Sequence, residues 1–178
     1  FIAFYLYHSY VLPRPKEDTD RAIRRNAQDI LREFVMTFVS FFAKKQIIIA
    51  VLFLLLFRLP EALLTPVSQL FLQALPSKGG LGLSPQEFGL VNGTVGVIGF
   101  LVGGVIGGML ISRDGLKKWL WPMTLAITIP NLTYVYLAYV MPENLMLINV
   151  CVAIENLGYG FGFSAYMLFM IYFSQGEH

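Results

Sequence analysis

The chain has 178 residues, of which 56% are hydrophobic and only 13% are charged, and its formal net charge is +2. Soluble domains carry about 25% charged residues, so this composition excludes a soluble globular protein and predicts a protein embedded in a membrane. The single cysteine, Cys151, excludes an intrachain disulfide.

The chain opens on a short apolar segment, residues 1–12. This is too short to cross a bilayer, which takes about 20 residues, and it has neither an initiator methionine nor the basic start of a signal peptide. We therefore interpret it as the tail of a transmembrane helix that begins upstream, and we expect the chain to be an internal part of a longer protein.

Residues 13–45 form a polar connection with eight basic and five acidic side chains. Its apolar residues recur at helical spacing after a possible N-cap at Asp18, with charges on the other face. These apolar residues are Ile23, Ala27, Ile30, Leu31, Phe34, Val35, Phe38 and Phe42. We predict an amphipathic helix that lies on the membrane surface and joins two membrane bundles, and a lipid-sensing or regulatory helix is the alternative.

The first span, residues 46–75, carries one charge of each sign inside an apolar helix. Arg58 lies about 18 Å along the helix, near the midplane, where a charge costs roughly 2.5–3.5 kcal/mol or more. Glu61 is three residues further on and can form an ion pair with Arg58, and Thr65 and Ser68 continue the same face. We predict that the pair lines a solute pathway, and an ion pair that only fixes helix packing is the alternative.

Two prolines lie inside this span, Pro60 and Pro66. Each removes an N–H that would have bonded the carbonyl four residues back, at Leu56 and Ala62. We expect the helix to be kinked or partly unwound there, with the freed carbonyls facing protein or a water-filled cavity.

The second span, residues 85–111, has a marked start and a stripe of small residues. Ser84 and Glu87 form a capping box, and Pro85 occupies the first helical position. The stripe, which predicts close packing against another helix, consists of Gly96, Gly99, Gly103 and Gly107. Asn92 has no obvious partner in its own helix and is a candidate site residue.

The third span, residues 119–140, has aromatic residues towards both ends, as in the belts at membrane interfaces. They are Trp119 and Trp121 at one end and Tyr134, Tyr136 and Tyr139 towards the other. Thr124, Thr128 and Asn131 form a polar face between the two ends, so Asn131 is a candidate site residue.

The fourth span, residues 145–173, places Glu155 and Asn156 near the middle of the membrane, and Tyr159 shares the Glu155 face. A titratable carboxyl at this depth is typical of proton-coupled transport, and a neutral packing group is the alternative.

The three ionisable residues of the spans are expected to face one central cavity. Arg58 is predicted to hold Glu61 ionised or to bind an anionic solute. Glu155 has no basic neighbour in its own span, so we predict that it carries the proton.

Basic residues indicate the orientation of the spans. Eleven Lys and Arg lie in residues 13–45 and in the loop at residues 113–118, against only Lys78 on the opposite side. By the positive-inside rule these two segments are cytoplasmic, and Lys78 and Glu143 lie outside.

The sequence GMLISRDGLKK at residues 108–118 resembles the loop signature of the major facilitator superfamily, in which a glycine is followed by an acid, a base, a glycine and paired bases. Ser112 stands where the acid is expected. A helix tail, a central link and four spans also match the end of span six, the link and spans seven to ten of a transporter built from two halves of six spans.

Three stretches resemble the muropeptide permease family of peptidoglycan recycling, a branch of this superfamily. GLSPQEFGLVN at residues 82–92 is similar to the family's start of span eight, and ENLGYGFG at residues 155–162 to its span ten. RLPE at residues 58–61 is similar to a base-x-x-acid step in span seven, with Pro60 in place of a glycine. The resemblance extends over about residues 55–174.

The resemblance implies an all-α, polytopic helical membrane protein that is part of the carboxy-terminal half of a major facilitator superfamily transporter. The implied function is proton-driven uptake of anhydro-muropeptides across the bacterial inner membrane. The expected partners are membrane lipid, the solute and protons, and the missing amino-terminal half and last two spans of the same protein, with no nucleic acid and no cofactor.

Other functions remain open at this point. The solute could instead be a sugar phosphate, a drug or a CoA ester, and a non-transporting scaffold is a further alternative. A membrane enzyme is disfavoured because it would normally show a histidine or acidic cluster for metal or phosphate chemistry, and the only histidines, His8 and His178, lie at the two chain ends.

Overall fold

The computed structural model describes residues 7, 8, 10, 11, 27–44 and 47–175, and the regular elements within these residues are all helical. The predicted all-α membrane fold is confirmed, because four helices are long and apolar enough to cross a membrane: Ile47–Gln73, Pro85–Asp114, Leu116–Val140 and Leu145–Ser174. The predicted cap at Asp18, the start of the amphipathic pattern at Ile23, most of the predicted tail at residues 1–12 and the last three residues lie outside the described residues.

Helix α1, Ala27–Phe42, is the described part of the connecting segment. Phe34, Phe38 and Phe42 lie along one face, with 5.9 Å and 5.1 Å between successive ring centroids, and all three are exposed. An exposed row of rings is typical of a helix on a membrane surface, so that placement stays a prediction for α1.

Helix α2, Ile47–Gln73, runs without interruption through Pro60 and Pro66. The helix is therefore not unwound at either proline, and a kink there stays a prediction. Each proline removes one hydrogen bond of the helix, and the bonds of the neighbouring residues are enough to keep the helical path.

The second span begins with the predicted capping box, which is confirmed. The Ser84 N–H donates to Glu87 Oε2 over 2.8 Å, and the Glu87 N–H donates to Ser84 Oγ over 3.3 Å. These two bonds satisfy backbone donors at the start of helix α3, Pro85–Phe88.

A π-helix, Gly89–Gly96, follows α3 and leads into helix α4, Val97–Asp114. Its wider turn was not predicted, because the glycine-rich sequence has the same apolar character as the α-helix after it. Asn92 lies in this segment, and such segments occur often at functional sites.

A single residue, Gly115, connects α4 to helix α5, Leu116–Thr128. Its φ of 86° is one that glycine adopts without strain. Lys118 Nζ and Trp119 Nε1 both donate to Asp114 Oδ2, over 3.1 Å and 3.0 Å. The connection is thus shorter than the predicted loop at residues 113–118.

The third span is interrupted by a 3₁₀ turn, Ile129–Asn131, between α5 and helix α6, Leu132–Val140. Pro130 lies in this turn. A 3₁₀ turn advances each residue by about 120° instead of about 100°, so three such residues rotate everything after them by about 60°.

Helix α7, Leu145–Gln175, packs directly on the glycine stripe, which begins at the end of the π-helix and continues along α4. A Cβ atom added at Gly103 would overlap the backbone of Leu157, and one added at Gly160 would overlap the backbone of Phe100. The predicted close packing of the stripe is confirmed, and it depends on the missing side chains.

Large rings separate α2 from α7. Phe57 stacks on Tyr166 with 5.6 Å between centroids, and Phe53 meets Phe169 at 4.6 Å. Glycines therefore allow α4 to pack closely against α7, whereas bulky rings keep the α2 backbone further from α7. This difference leaves space between the spans.

We expect Gly160→Ala to lower the melting midpoint of the full-length protein in detergent, because the new methyl group meets the Phe100 backbone and overpacking costs about 1–3 kcal/mol. Gly108→Ala is the matched control, since a Cβ there has no atom within 4 Å. It should leave the midpoint unchanged or raise it slightly. Equal midpoints for the two variants would contradict this packing.

Candidate functional site

All four spans contribute to one cavity, whose volume is about 330 Å³. Its wall is polar on the α2 side and mixed elsewhere. The lining residues are Arg58, Glu61, Thr65, Ser68 and Gln69 of α2, Asn92 of the π-helix, Val97 and Phe100 of α4, Tyr134 of α6, and Glu155, Asn156 and Tyr159 of α7.

The structure brings six of the seven candidate residues together at this cavity: Arg58, Glu61, Asn92, Glu155, Asn156 and Tyr159. The seventh, Asn131, is half-buried in the 3₁₀ turn and does not line it. The Thr124 and Thr128 hydroxyls donate to backbone carbonyls of their own helix, so the polar face predicted for α5 is satisfied locally.

Arg58 does not form the predicted ion pair with Glu61. Its Nη1 donates instead to the hydroxyl of Tyr159. The guanidinium also lies over two rings, with Cζ 5.5 Å from the Tyr159 centroid and 5.7 Å from that of Phe163. Such cation–π contacts stabilise the guanidinium in place, and the remaining N–H groups are available to another acceptor.

Glu61 is only 6% exposed, and its two carboxylate oxygens differ. Oε1 accepts a hydrogen bond from the Thr65 hydroxyl over 3.0 Å. Oε2 is buried and has no hydrogen-bond partner in the described part of the chain. A buried oxygen without a donor is unfavourable, so this atom is a position where a proton or a bound group would be stabilised.

Glu155 is equally buried, at 5% exposed. Its Oε2 accepts a hydrogen bond of 2.7 Å from Asn156 Nδ2, which also donates to the Val152 carbonyl over 3.0 Å. No Lys or Arg forms an ion pair with Glu155 within the residues that the structure describes. A carboxyl inside a membrane span and without a cation is a group suited to exchanging protons.

Tyr134 corrects one interpretation made from the sequence. It was expected in an interfacial aromatic belt, but it is only 9% exposed and lines the cavity. Tyr136 and Tyr139, on the same helix, are 48% and 91% exposed. Tyr134 lies seven residues after Ile127 and three before Leu137, both of which are buried, so helical spacing places it on the buried face. The interfacial interpretation rested on the residue type and not on this spacing.

The chain is similar to known bacterial transporters. It is 28% identical over 132 residues to the anhydromuropeptide permease of Escherichia coli K12, a match that covers 74% of this chain and 26% of the permease. It is 24% identical over 131 residues to the putative transporter AmpG 1 of Rickettsia felis, covering 74% of this chain and 28% of that protein. The predicted resemblance to the muropeptide permeases is thereby confirmed.

An uncharacterised protein of Haemophilus influenzae is 23% identical over 170 residues, which covers 90% of this chain and 38% of that protein. The chain thus spans between 26% and 38% of the length of these relatives. No family model and no solved structure matches the chain. The named relatives are described as a transporter and a permease, neither of which is an enzyme.

Proposed function

We propose that the chain is part of the carboxy-terminal half of a major facilitator superfamily transporter that takes up anhydro-muropeptides with protons across the bacterial inner membrane. The observation that carries the proposal is the cavity between the four spans, which contains Arg58, Glu61 and Glu155. The similarity to the E. coli permease supports the choice of solute.

Arg58 is the proposed contact for the solute. An anhydro-muropeptide carries carboxylate groups, and a guanidinium with unused N–H donors can bind a carboxylate through two parallel hydrogen bonds. The side-chain amides of Asn92 and Asn156, which also line the cavity, supply further donors and acceptors for sugar hydroxyls and peptide groups.

Glu155 is the proposed proton carrier. It lies in the same cavity as Arg58 but on a different span, so the solute and the proton would bind at neighbouring positions of one site. Facilitator sites form between two halves near the midplane, and alternating access would then expose both ligands to each side in turn.

The unpartnered oxygen of Glu61 argues against a scaffold without transport. A group that only fixes packing would be stabilised by a donor, yet Oε2 has none in the described part of the chain.

Uptake by the full-length protein in proteoliposomes tests the choice of solute. We expect accumulation of labelled anhydro-muropeptide and no uptake of a sugar phosphate, a drug or a CoA ester under the same proton gradient. Uptake of one of these solutes and not of the muropeptide would show that the protein is a facilitator for another solute. Failure of all four would overturn the transporter proposal.

We further propose the orientation given by the basic residues, and cysteine labelling of the full-length protein tests it. The background replaces the buried Cys151 with alanine, together with any cysteine in the rest of the full-length protein, so that only the introduced thiol can react. Lys78→Cys should react with a membrane-impermeant thiol reagent added outside the cells. Lys117→Cys should react with it only after the membrane has been permeabilised. The reverse pattern would contradict the orientation.

A further inference from the structure

Tyr134 has neighbours that suggest a role beyond packing. Its side chain is a neighbour of Ser68 on α2 and of Glu155 on α7 at the cavity wall. All three residues are buried, at 9%, 7% and 5% exposed, and all three line the cavity. One hydroxyl on α6 therefore lies between the two spans that hold the carboxyl groups.

The ring of Tyr134 is fixed by its surroundings. It belongs to an apolar cluster in which Leu137 and Val152 are fully buried. Because the ring cannot move, the hydroxyl oxygen stays in one position and can form hydrogen bonds only with the groups next to it. A phenol has one O–H donor and can also accept, which allows it to bond a carboxylate in one state and a serine hydroxyl in another.

The charged and titratable groups that face this position come from two helices. Glu61 and Arg58 belong to α2, and Glu155 and Tyr159 belong to α7. Arg58 is engaged by Tyr159, and Asn156 donates to Glu155. The Tyr134 hydroxyl is a further neutral group beside Glu155 at the cavity wall.

We propose that Tyr134 is a positioning residue for the proton step at Glu155, an inference that rests on the proposed function. In the deprotonated state the Tyr134 hydroxyl donates to the Glu155 carboxylate. When Glu155 binds a proton, an O–H bond forms on the carboxyl, Tyr134 keeps its own proton, and its hydrogen bond turns to Ser68. Protonation of α7 is thereby communicated to α2, the span that carries the solute contact Arg58.

Tyr134→Phe in the full-length protein tests the inference, because it removes the hydroxyl and keeps the ring. Tyr136→Phe, on the exposed face of α6, is the matched control. Loss of one hydrogen bond to a charged group should reduce proton-driven accumulation by about tenfold or more while exchange of labelled anhydro-muropeptide stays near wild type. The pH at which uptake is half-maximal should also move, since a role in packing alone would not change it.

The outcomes separate the inference from the proposed function. If wild type accumulates the muropeptide and Tyr134→Phe has the same accumulation and pH profile, Tyr134 has no part in the proton step. If accumulation and exchange fall together, its role is structural and the inference is wrong. If wild type shows no proton-driven accumulation, the proposed function itself fails.

Discussion

Glu155→Gln is expected to abolish proton-driven accumulation by the full-length transporter while leaving solute exchange close to the wild-type rate. Glutamine has nearly the shape of glutamate, and its carbonyl oxygen can still accept the hydrogen bond from Asn156. It cannot bind and release a proton in the physiological range. Exchange of labelled for unlabelled solute requires only that the solute-bound protein changes conformation. Uphill accumulation of solute also requires a proton to be bound on one side and released on the other.

Glu143→Gln is the control, because Glu143 is an exposed carboxyl between α6 and α7. It should accumulate solute as wild type does. Normal accumulation by Glu155→Gln would eliminate the proposed role of Glu155. If Glu61→Gln alone abolished accumulation, the proton would be carried by Glu61, whose free oxygen makes it the competing carboxyl.

Arg58→Ala is expected to weaken binding of anhydro-muropeptide by roughly 10- to 100-fold, since a hydrogen bond to a charged group contributes about 1.5–3 kcal/mol. Arg58→Lys should recover part of the affinity, because it restores the charge without the planar pair of donors. Equilibrium binding to the purified full-length protein measures both variants.

The Arg58 substitutions also remove contacts with Tyr159 and Phe163, so a melting midpoint is needed for each variant. Arg113→Ala is the control for loss of a basic residue, because the Arg113 side chain is 82% exposed and lies outside the cavity. Unchanged affinity in a folded Arg58→Ala protein would show that Arg58 does not contact the solute.

Helical periodicity predicted most of the residues that line the cavity, because most of them belong to two uninterrupted helices, α2 and α7. Along α2 the spacing from Arg58 to Ser68 places polar groups on one face, and along α7 the spacing from Glu155 to Tyr159 does the same. Both helices keep 3.6 residues per turn through these stretches, so positions on one face in the sequence remain on one face in the structure.

The remaining features depend on contacts between helices and on local changes of helical pitch. Arg58 bonds a residue 101 positions away, so its partner could not be found from its own span. Asn131 lies in a 3₁₀ turn and does not line the cavity, whereas Tyr134, three residues later, does. The π-helix around Asn92 likewise has no signal in the apolar, glycine-rich sequence.

Solute-induced proton movement tests the central proposal most directly. Proteoliposomes containing the full-length wild type, without an imposed gradient, receive anhydro-muropeptide while the external pH is recorded. Coupled uptake predicts that the external medium becomes more alkaline when the solute is added, and that Glu155→Gln shows no such change. Entry of labelled muropeptide into the wild-type vesicles with no change in external pH would contradict proton coupling through this cavity.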